Sequence, residues 1–173
     1  SKLHYPFSMG ETAENVAEKY NITRDRQDEF AYQSQLKWQH AQEHLLFENE
    51  IVPVMIPQKK GQFTSFHIDE HPRLSTVDVL STLKPAFKDN GSVTAGNSSG
   101  INDGAACCIL ASESMVKQFN LKPIARIVSC GAAGVDPSIL GIGPVPATEK
   151  ALKKAGLTVN DIDVFELNEA FAA

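Results

Sequence analysis

Asn168 and Glu169 stand side by side at the end of the apolar run Val164-Phe165-Glu166-Leu167. That run reads as a buried strand, and open α/β sheets place their sites at the carboxyl ends of strands. An amide there can orient a water or donate to a developing oxyanion, while a glutamate can fix loops by accepting backbone N–H groups. A thiol is the second candidate, because Ser129-Cys130-Gly131-Ala132-Ala133-Gly134 also ends an apolar run. No His or Lys adjoins Cys130 to stabilise a thiolate, and Val135-Asp136-Pro137 turns the chain at once, so Cys130 reads as a small structural residue. Cys107 and Cys108 fall inside an apolar run and read as packing residues.

Two further constellations are weaker in chemistry. His40 and His44 have the i, i+4 spacing of a metal pair, but no third ligand follows, and His4, His67 and His71 are scattered. A solvated helix face is the better reading, and no metal site is expected. Ala95-Gly96-Asn97-Ser98-Ser99-Gly100-Ile101-Asn102-Asp103-Gly104 can turn closely against another group while its polar side chains satisfy the backbone. It reads equally as a loop packed on a ligand and as a loop joining two domains. It has neither the phosphate-loop nor the dinucleotide spacing.

Bulk properties bound the partners. The 173 residues carry a formal charge of −5, with a pI near 5.5, which argues against a nucleic-acid surface. No run is long enough to span a bilayer, and the first residues do not read as a signal peptide. Three cysteines, two of them adjacent, form no disulfide framework or zinc pattern and suit a reducing compartment such as the cytoplasm.

These candidates need elements to hold them. Residues 8 to 49 read as helical, with Gly10 at the entrance, a segment from Thr12 to Tyr20 broken by Asn21, and a longer helix capped by Thr23. Phe30, Ser34, Trp38, Ala41 and Leu45 form a helical stripe that reads as packing surface. Residues 51 to 56 read as an edge strand interrupted by Pro53, followed by a surface excursion over 57 to 75. Thr76 caps a short helix through Leu83, and Asp89-Asn90-Gly91 forms a turn. Beyond residue 92 short apolar strands (105 to 110, 124 to 130, 164 to 167) alternate with helices after Ser112 and from about 146 to 155, the latter stopped by Gly156. Alternation of this kind predicts an α/β sheet layered with helices, with a boundary near residue 92. The uncapped final turn Asn168-Glu169-Ala170-Phe171-Ala172-Ala173 suggests that the sequence is a fragment.

A resemblance adds what periodicity cannot. In order along the chain run Met9-Gly10-Glu11-Thr12-Ala13-Glu14-Asn15-Val16-Ala17, Arg24-Asp25-Arg26-Gln27-Asp28, Asp69-Glu70-His71-Pro72-Arg73 and Leu83-Lys84-Pro85-Ala86-Phe87. Val93-Thr94-Ala95-Gly96-Asn97-Ser98-Ser99-Gly100-Ile101-Asn102-Asp103-Gly104, Gly134-Val135-Asp136-Pro137, Gly141-Ile142-Gly143-Pro144-Val145-Pro146-Ala147 and Asn168-Glu169-Ala170-Phe171-Ala172 follow. The chain resembles the middle portion of a thiolase.

That resemblance implies part of a layered αβαβα fold with a helical excursion domain. Residues 1–92 would be the coenzyme-covering loop domain, 93–122 the closing strand and helix of the N-terminal half, and 123–173 the beginning of the C-terminal half. It implies ping-pong acyl transfer between coenzyme A thioesters through a cysteine acyl-enzyme, with no permanently bound cofactor. Asn168 matches the position that holds an oxyanion-hole water together with a histidine. Ser99 and Ala95 match contacts to the pantetheine arm, Met9, Phe87, Leu140, Ala170 and Phe171 match positions lining its tunnel, and Arg73 matches a basic residue near the nucleotide end. The nucleophilic cysteine would lie upstream, and the catalytic histidine and second cysteine downstream. Ser8 and Val79 depart from the common His and Ser, which bears on substrate preference. Family dimers and tetramers imply a homo-oligomer. The alternative is a non-catalytic coenzyme-binding or scaffold subunit.

Overall fold

The computed structural model describes residues 6–173; His4 lies outside them. The chain gathers into two compact units, one of Ala13–Gly100 with Glu169–Ala173, the other of Ile101–Asn168 with the residues through Thr12.

Helix α1 spans Met9–Tyr20. It begins earlier than the expected Thr12, because Ser8 and Glu11 form a capping box: the Ser8 N–H donates to Glu11 Oε2 at 2.7 Å and the Glu11 N–H donates to Ser8 Oγ at 3.3 Å. Asn21, in the left-handed region at φ 54°, ends it, and the Ile22 N–H closes back onto Ala17 O at 2.9 Å. Helix α2, Arg24–Glu43, starts at Thr23, whose side chain accepts from the Arg26 N–H. The expected stripe holds only in part. Ala41 is buried, whereas Phe30 and Leu45 are exposed, Leu45 because the helix has already ended there at φ 53°. The residues that α2 buries most completely are polar, Gln27 and Asp28.

Strands β1 (Val54–Pro57) and β2 (Phe63–Phe66) pair antiparallel with Val54 opposite Phe66 and Pro57 opposite Phe63. Pro53 precedes the ladder rather than interrupting it. Both strands are exposed along their length. Helix α3, Val77–Ser81, is capped by Thr76 as expected and stops short of Leu83. The turn at 89 to 91 is present, with Asn90 at φ 58° and the Gly91 N–H bonded to Lys88 O at 2.9 Å. This unit's core gathers Ala13, Val16, Ala17, Ala41, Leu80 and Val93.

In the other unit α4 (Glu113–Gln118) starts at Ser112, and α5 (Pro144–Ala155) stops at Gly156, whose φ of 70° favours glycine. A 3₁₀ stretch, Pro137–Ile142, is capped by Asp136. The expected strands at 105 to 110, 124 to 130 and 164 to 167 carry no ladder, and β1 with β2 is the only sheet among the described residues. Apart from Ser129, whose hydroxyl donates to Ala151 O, their side chains are exposed, Ile109 at 93% and Ile124 at 105%. A strand exists only with a hydrogen-bonded neighbour, and no described strand pairs with these. Cys107 and Cys108 are exposed for the same reason, which corrects their reading as packing residues. No helix among the described residues is long and apolar enough to cross a membrane.

Candidate functional site

The site of interest is built on the loop 92–100. Glu14, on α1 and 4% exposed, turns its carboxylate to the loop's entrance and accepts the backbone N–H groups of Ser92 (2.9 Å) and Val93 (2.8 Å). Pro85 and Thr94 form an antiparallel bridge, with the Ala86 N–H donating to Val93 O at 2.9 Å. Asn97, buried, accepts from the Thr94 N–H at 2.8 Å and donates to Asp28 Oδ1 at 2.9 Å. Asp28 in turn pairs with Arg24 Nε at 2.7 Å. Polar groups this deeply buried persist because each finds a partner. One does not: Gln27 Oε1 is buried and unpaired.

On the loop's other edge runs the segment 170–172. The Ser99 N–H donates to Ala170 O and the Ala172 N–H donates to Asn97 O, both at 2.9 Å, and Ser98 bridges Phe171. Phe171 meets Phe87 edge to face, with ring centroids 6.0 Å apart. A cleft of about 170 Å³ opens beside this ladder. Phe30, Ser34 and Gln35 of α2, His71, Ser98, Ser99 and Glu169 are among its lining residues. Glu169 accepts a hydrogen bond from the Ser34 hydroxyl, so it ties 169–173 to a side chain of α2 rather than to the backbone donors expected of it. His71 lies against Gly100, where an added Cβ would stand 2.5 Å from the ring.

Of the residues singled out in the sequence, the structure brings Ser99, Ala170, Phe171 and Phe87 together, with Ala95 in the same turn as Thr94 and Gly96. Arg73 is exposed, and its N–H donates to Gln35 Oε1 at 3.0 Å, so it sits beside the cleft-lining Gln35. Met9, Leu140 and Asn168 belong to the other unit and are exposed there. His40 and His44 stack with centroids 4.1 Å apart on the helix surface, and among the described residues no cluster suits a metal ion. Cys130 is exposed; its carbonyl accepts from Lys154 Nζ at 2.9 Å.

Glu14, Gln27, Asp28 and Asn97 appear in the sequence motifs, but the motifs mark none of them as buried or as partners of one another. One local signal existed for Asn97, which sits in a run of small loop residues where a side-chain amide satisfies the backbone.

The family model described as "Thiolase, N-terminal domain" matches residues 2–114, and "Thiolase, C-terminal domain" matches residues 121–173. The chain is 53% identical over 167 residues to an acetyl-CoA acetyltransferase of Syntrophomonas wolfei, covering 96% of this chain and 42% of that protein. It is 54% identical over 168 residues to a probable acetyl-CoA acyltransferase of Staphylococcus epidermidis, covering 96% of this chain and 43% of that one. Among solved structures, the Bacillus anthracis acetyl-CoA acetyltransferase superposes with a TM-score of 0.93 at 49% identity, over 98% of this chain and 43% of that one. The human mitochondrial 3-ketoacyl-CoA thiolase in complex with CoA does so with a TM-score of 0.87 at 48% identity, over 95% of this chain and 40% of that one. The chain thus spans less than half the length of these relatives, and its part of the fold is theirs: layered α/β, of the thiolase type. With both family models matched in chain order and identity near one half throughout, the chain belongs to the thiolase family.

Proposed function

We propose that this chain is the middle part of an acyltransferase that moves acyl groups between coenzyme A thioesters, by thiolysis of a 3-ketoacyl-CoA or condensation of acetyl-CoA. What supports this reading is the meeting at one loop of Phe87, Ser99 and the Ala170-Phe171 pair, three separate stretches of sequence that the thiolase resemblance assigns to the pantetheine arm and its tunnel. A relative of the same fold was solved with CoA bound. Residues 1–92 cover the coenzyme, 93–122 close the N-terminal half, and 123–173 open the C-terminal half, whose partner strands come from the rest of the polypeptide.

In thiolysis a cysteine thiolate outside this segment attacks the 3-keto carbon of the substrate. The bond between the α-carbon and that carbonyl breaks, acetyl-CoA leaves after its α-carbon takes a proton, and the acyl group stays on sulfur. The thiolate of a second CoA then takes the acyl group and returns the cysteine as thiolate. This chain's contribution is to hold the pantetheine arm at Ala95 and Ser99, against Phe87, Ala170 and Phe171, with Arg73 near the nucleotide; Met9 and Leu140 are further tunnel positions that the resemblance implies. The Asn168 amide orients the water that stabilises the thioester oxyanion. The protein works as a homodimer or homotetramer in a reducing compartment such as the cytoplasm.

The test is an assay of the intact protein that contains this segment, with acetoacetyl-CoA and CoA. Formation of acetyl-CoA by the intact protein and none by residues 1–173 alone is expected. Turnover by the isolated segment would overturn the placement of the nucleophile. CoA binding without turnover by the intact protein would point instead to a non-catalytic coenzyme-binding subunit.

A further inference from the structure

We propose that Asn97 is a positioning residue for coenzyme A: tethered through Asp28 and Arg24 to the end of α3, it sets the register of the loop and the segment that hold the pantetheine arm. The proposal rests on the acyl-transfer reading above.

Every polar group of Asn97 is engaged by protein. Its Oδ1 accepts from the Thr94 N–H at 2.8 Å, and its Nδ2 donates to Asp28 Oδ1 at 2.9 Å and Ser92 O at 3.0 Å. Its carbonyl accepts from the Ala172 N–H at 2.9 Å. One acceptor facing an N–H, with two donors facing two acceptors, fixes the orientation of the amide. Asp28, 1% exposed, passes the tether on through Arg24, whose Nη2 donates to Leu80 O at 2.7 Å and Leu83 O at 2.9 Å. The loop lies hard against the same place. A Cβ on Gly96 would stand 2.5 Å from Leu83 Cδ1 and 2.7 Å from Leu80 Cδ2.

Asn97 thus joins three parts of one unit: α2 by its side chain, the loop by Thr94 and Ser92, and the segment 170–172 by its carbonyl. Ala95 lies two residues before it and Ser99 two after, and the Ser99 N–H holds Ala170. Its loss would move the pantetheine contacts together, and a site that is no longer preorganised for its ligand loses affinity.

Asn97→Asp tests this in the intact protein, because it keeps the volume and the acceptor for Thr94 but sets a second carboxylate against Asp28. The Kd for CoA, by calorimetry well below the melting temperature, is expected to rise about tenfold, the equivalent of one good hydrogen bond. KM for acetoacetyl-CoA is expected to rise in parallel, with kcat within about threefold of wild type. Adding Asp28→Asn, which restores a donor between the two side chains, recovers most of the affinity. If Asn97→Asp does not accumulate, Asp28→Asn alone is expected to raise the Kd about threefold, because it weakens the tether without removing it. Lower melting temperature with unchanged Kd and KM in either variant overturns the proposal, leaving Asn97 merely structural. Wild-type protein that binds CoA without turnover refutes the acyl-transfer reading but still allows the Kd comparison; wild type that does not bind CoA overturns both.

Discussion

The carboxylate of Glu14 accepts the backbone N–H of Val93 at 2.8 Å across 79 residues of sequence. The same carboxylate takes the Ser92 N–H and hydroxyl, so one side chain of α1 satisfies three donors at the loop's entrance. Hydrogen bonds to an ionised acceptor are among the stronger ones, and removing the acceptor strands buried donors. Glu14→Ala in the intact protein is expected to cost about 2–4 kcal/mol in urea unfolding. Glu14→Gln, which keeps one oxygen and can donate to the Ser92 hydroxyl, is expected to cost about half as much. Equal stability of both variants and wild type would show that these bonds contribute nothing net.

Gly91 makes that approach possible. A Cβ at this position would lie 2.1 Å from Glu14 Oε1 and 2.7 Å from Glu14 Cδ, and 2.9 Å from the Lys88 carbonyl. The backbone oxygen cannot move aside without opening the turn. Gly91→Ala is therefore expected to destabilise the protein by about 1–3 kcal/mol through overpacking. Combined with Glu14→Ala it should cost less than the sum of the two, because one clash has gone.

What the sequence made legible was local chemistry. Thr23, Thr76 and Ser112 start helices and Gly156 ends one where expected, since a cap involves residues within one turn of each other. The Ser8 and Glu11 box was also readable, yet Gly10 masks it by suggesting a later start. The apolar runs at 105 to 110, 124 to 130 and 164 to 167 name a tendency that only a neighbouring strand can realise. The buried polar set was hidden for a different reason. Asp28 suits a helix's positive end on sequence grounds, but its partner Asn97 is 69 residues away. The proposed pantetheine positions rest on family resemblance alone; nothing in the spacing of Phe87 and Phe171 announces that their rings meet.

Ser99 separates binding from folding. Its N–H holds Ala170 at 2.9 Å, a bond that any side chain permits, and its own side chain is exposed. Ser99→Ala should leave the melting temperature unchanged and raise KM for CoA about tenfold if the hydroxyl contacts the pantetheine arm. An unchanged KM would remove Ser99 from the coenzyme site.

The turn after α5 carries a pH signature. Thr158 donates its hydroxyl and its N–H to Asp161 Oδ2, each at 2.7 Å, and these bonds hold the Asp161 carboxyl below the ordinary aspartate value, the hydroxyl more than the N–H. A depressed folded pKa means that this box favours the folded state fully above the ordinary aspartate range. The contribution is lost as pH falls through the folded value. An NMR titration of Asp161 in the intact protein is expected to show a midpoint below that of an unstructured peptide, and Thr158→Ala should move it back up.

Asn168 tests the proposed chemistry most directly. It is exposed, and no hydrogen bond ties its side chain to the described residues, so replacing it should leave the fold intact. If its amide orients the oxyanion-stabilising water, Asn168→Ala removes stabilisation that exists chiefly in the transition state, which lowers kcat rather than raising KM. A fall in kcat of about 10²–10³ is expected, the size seen when one oxyanion-hole donor is lost. Asn168→Asp adds a negative charge where negative charge develops and should be at least as damaging. Steady-state thiolysis of acetoacetyl-CoA by the intact variants, with melting temperatures beside them, decides the matter. A kcat within about threefold of wild type would place the oxyanion hole elsewhere, since loss of a donor to developing charge costs far more than that.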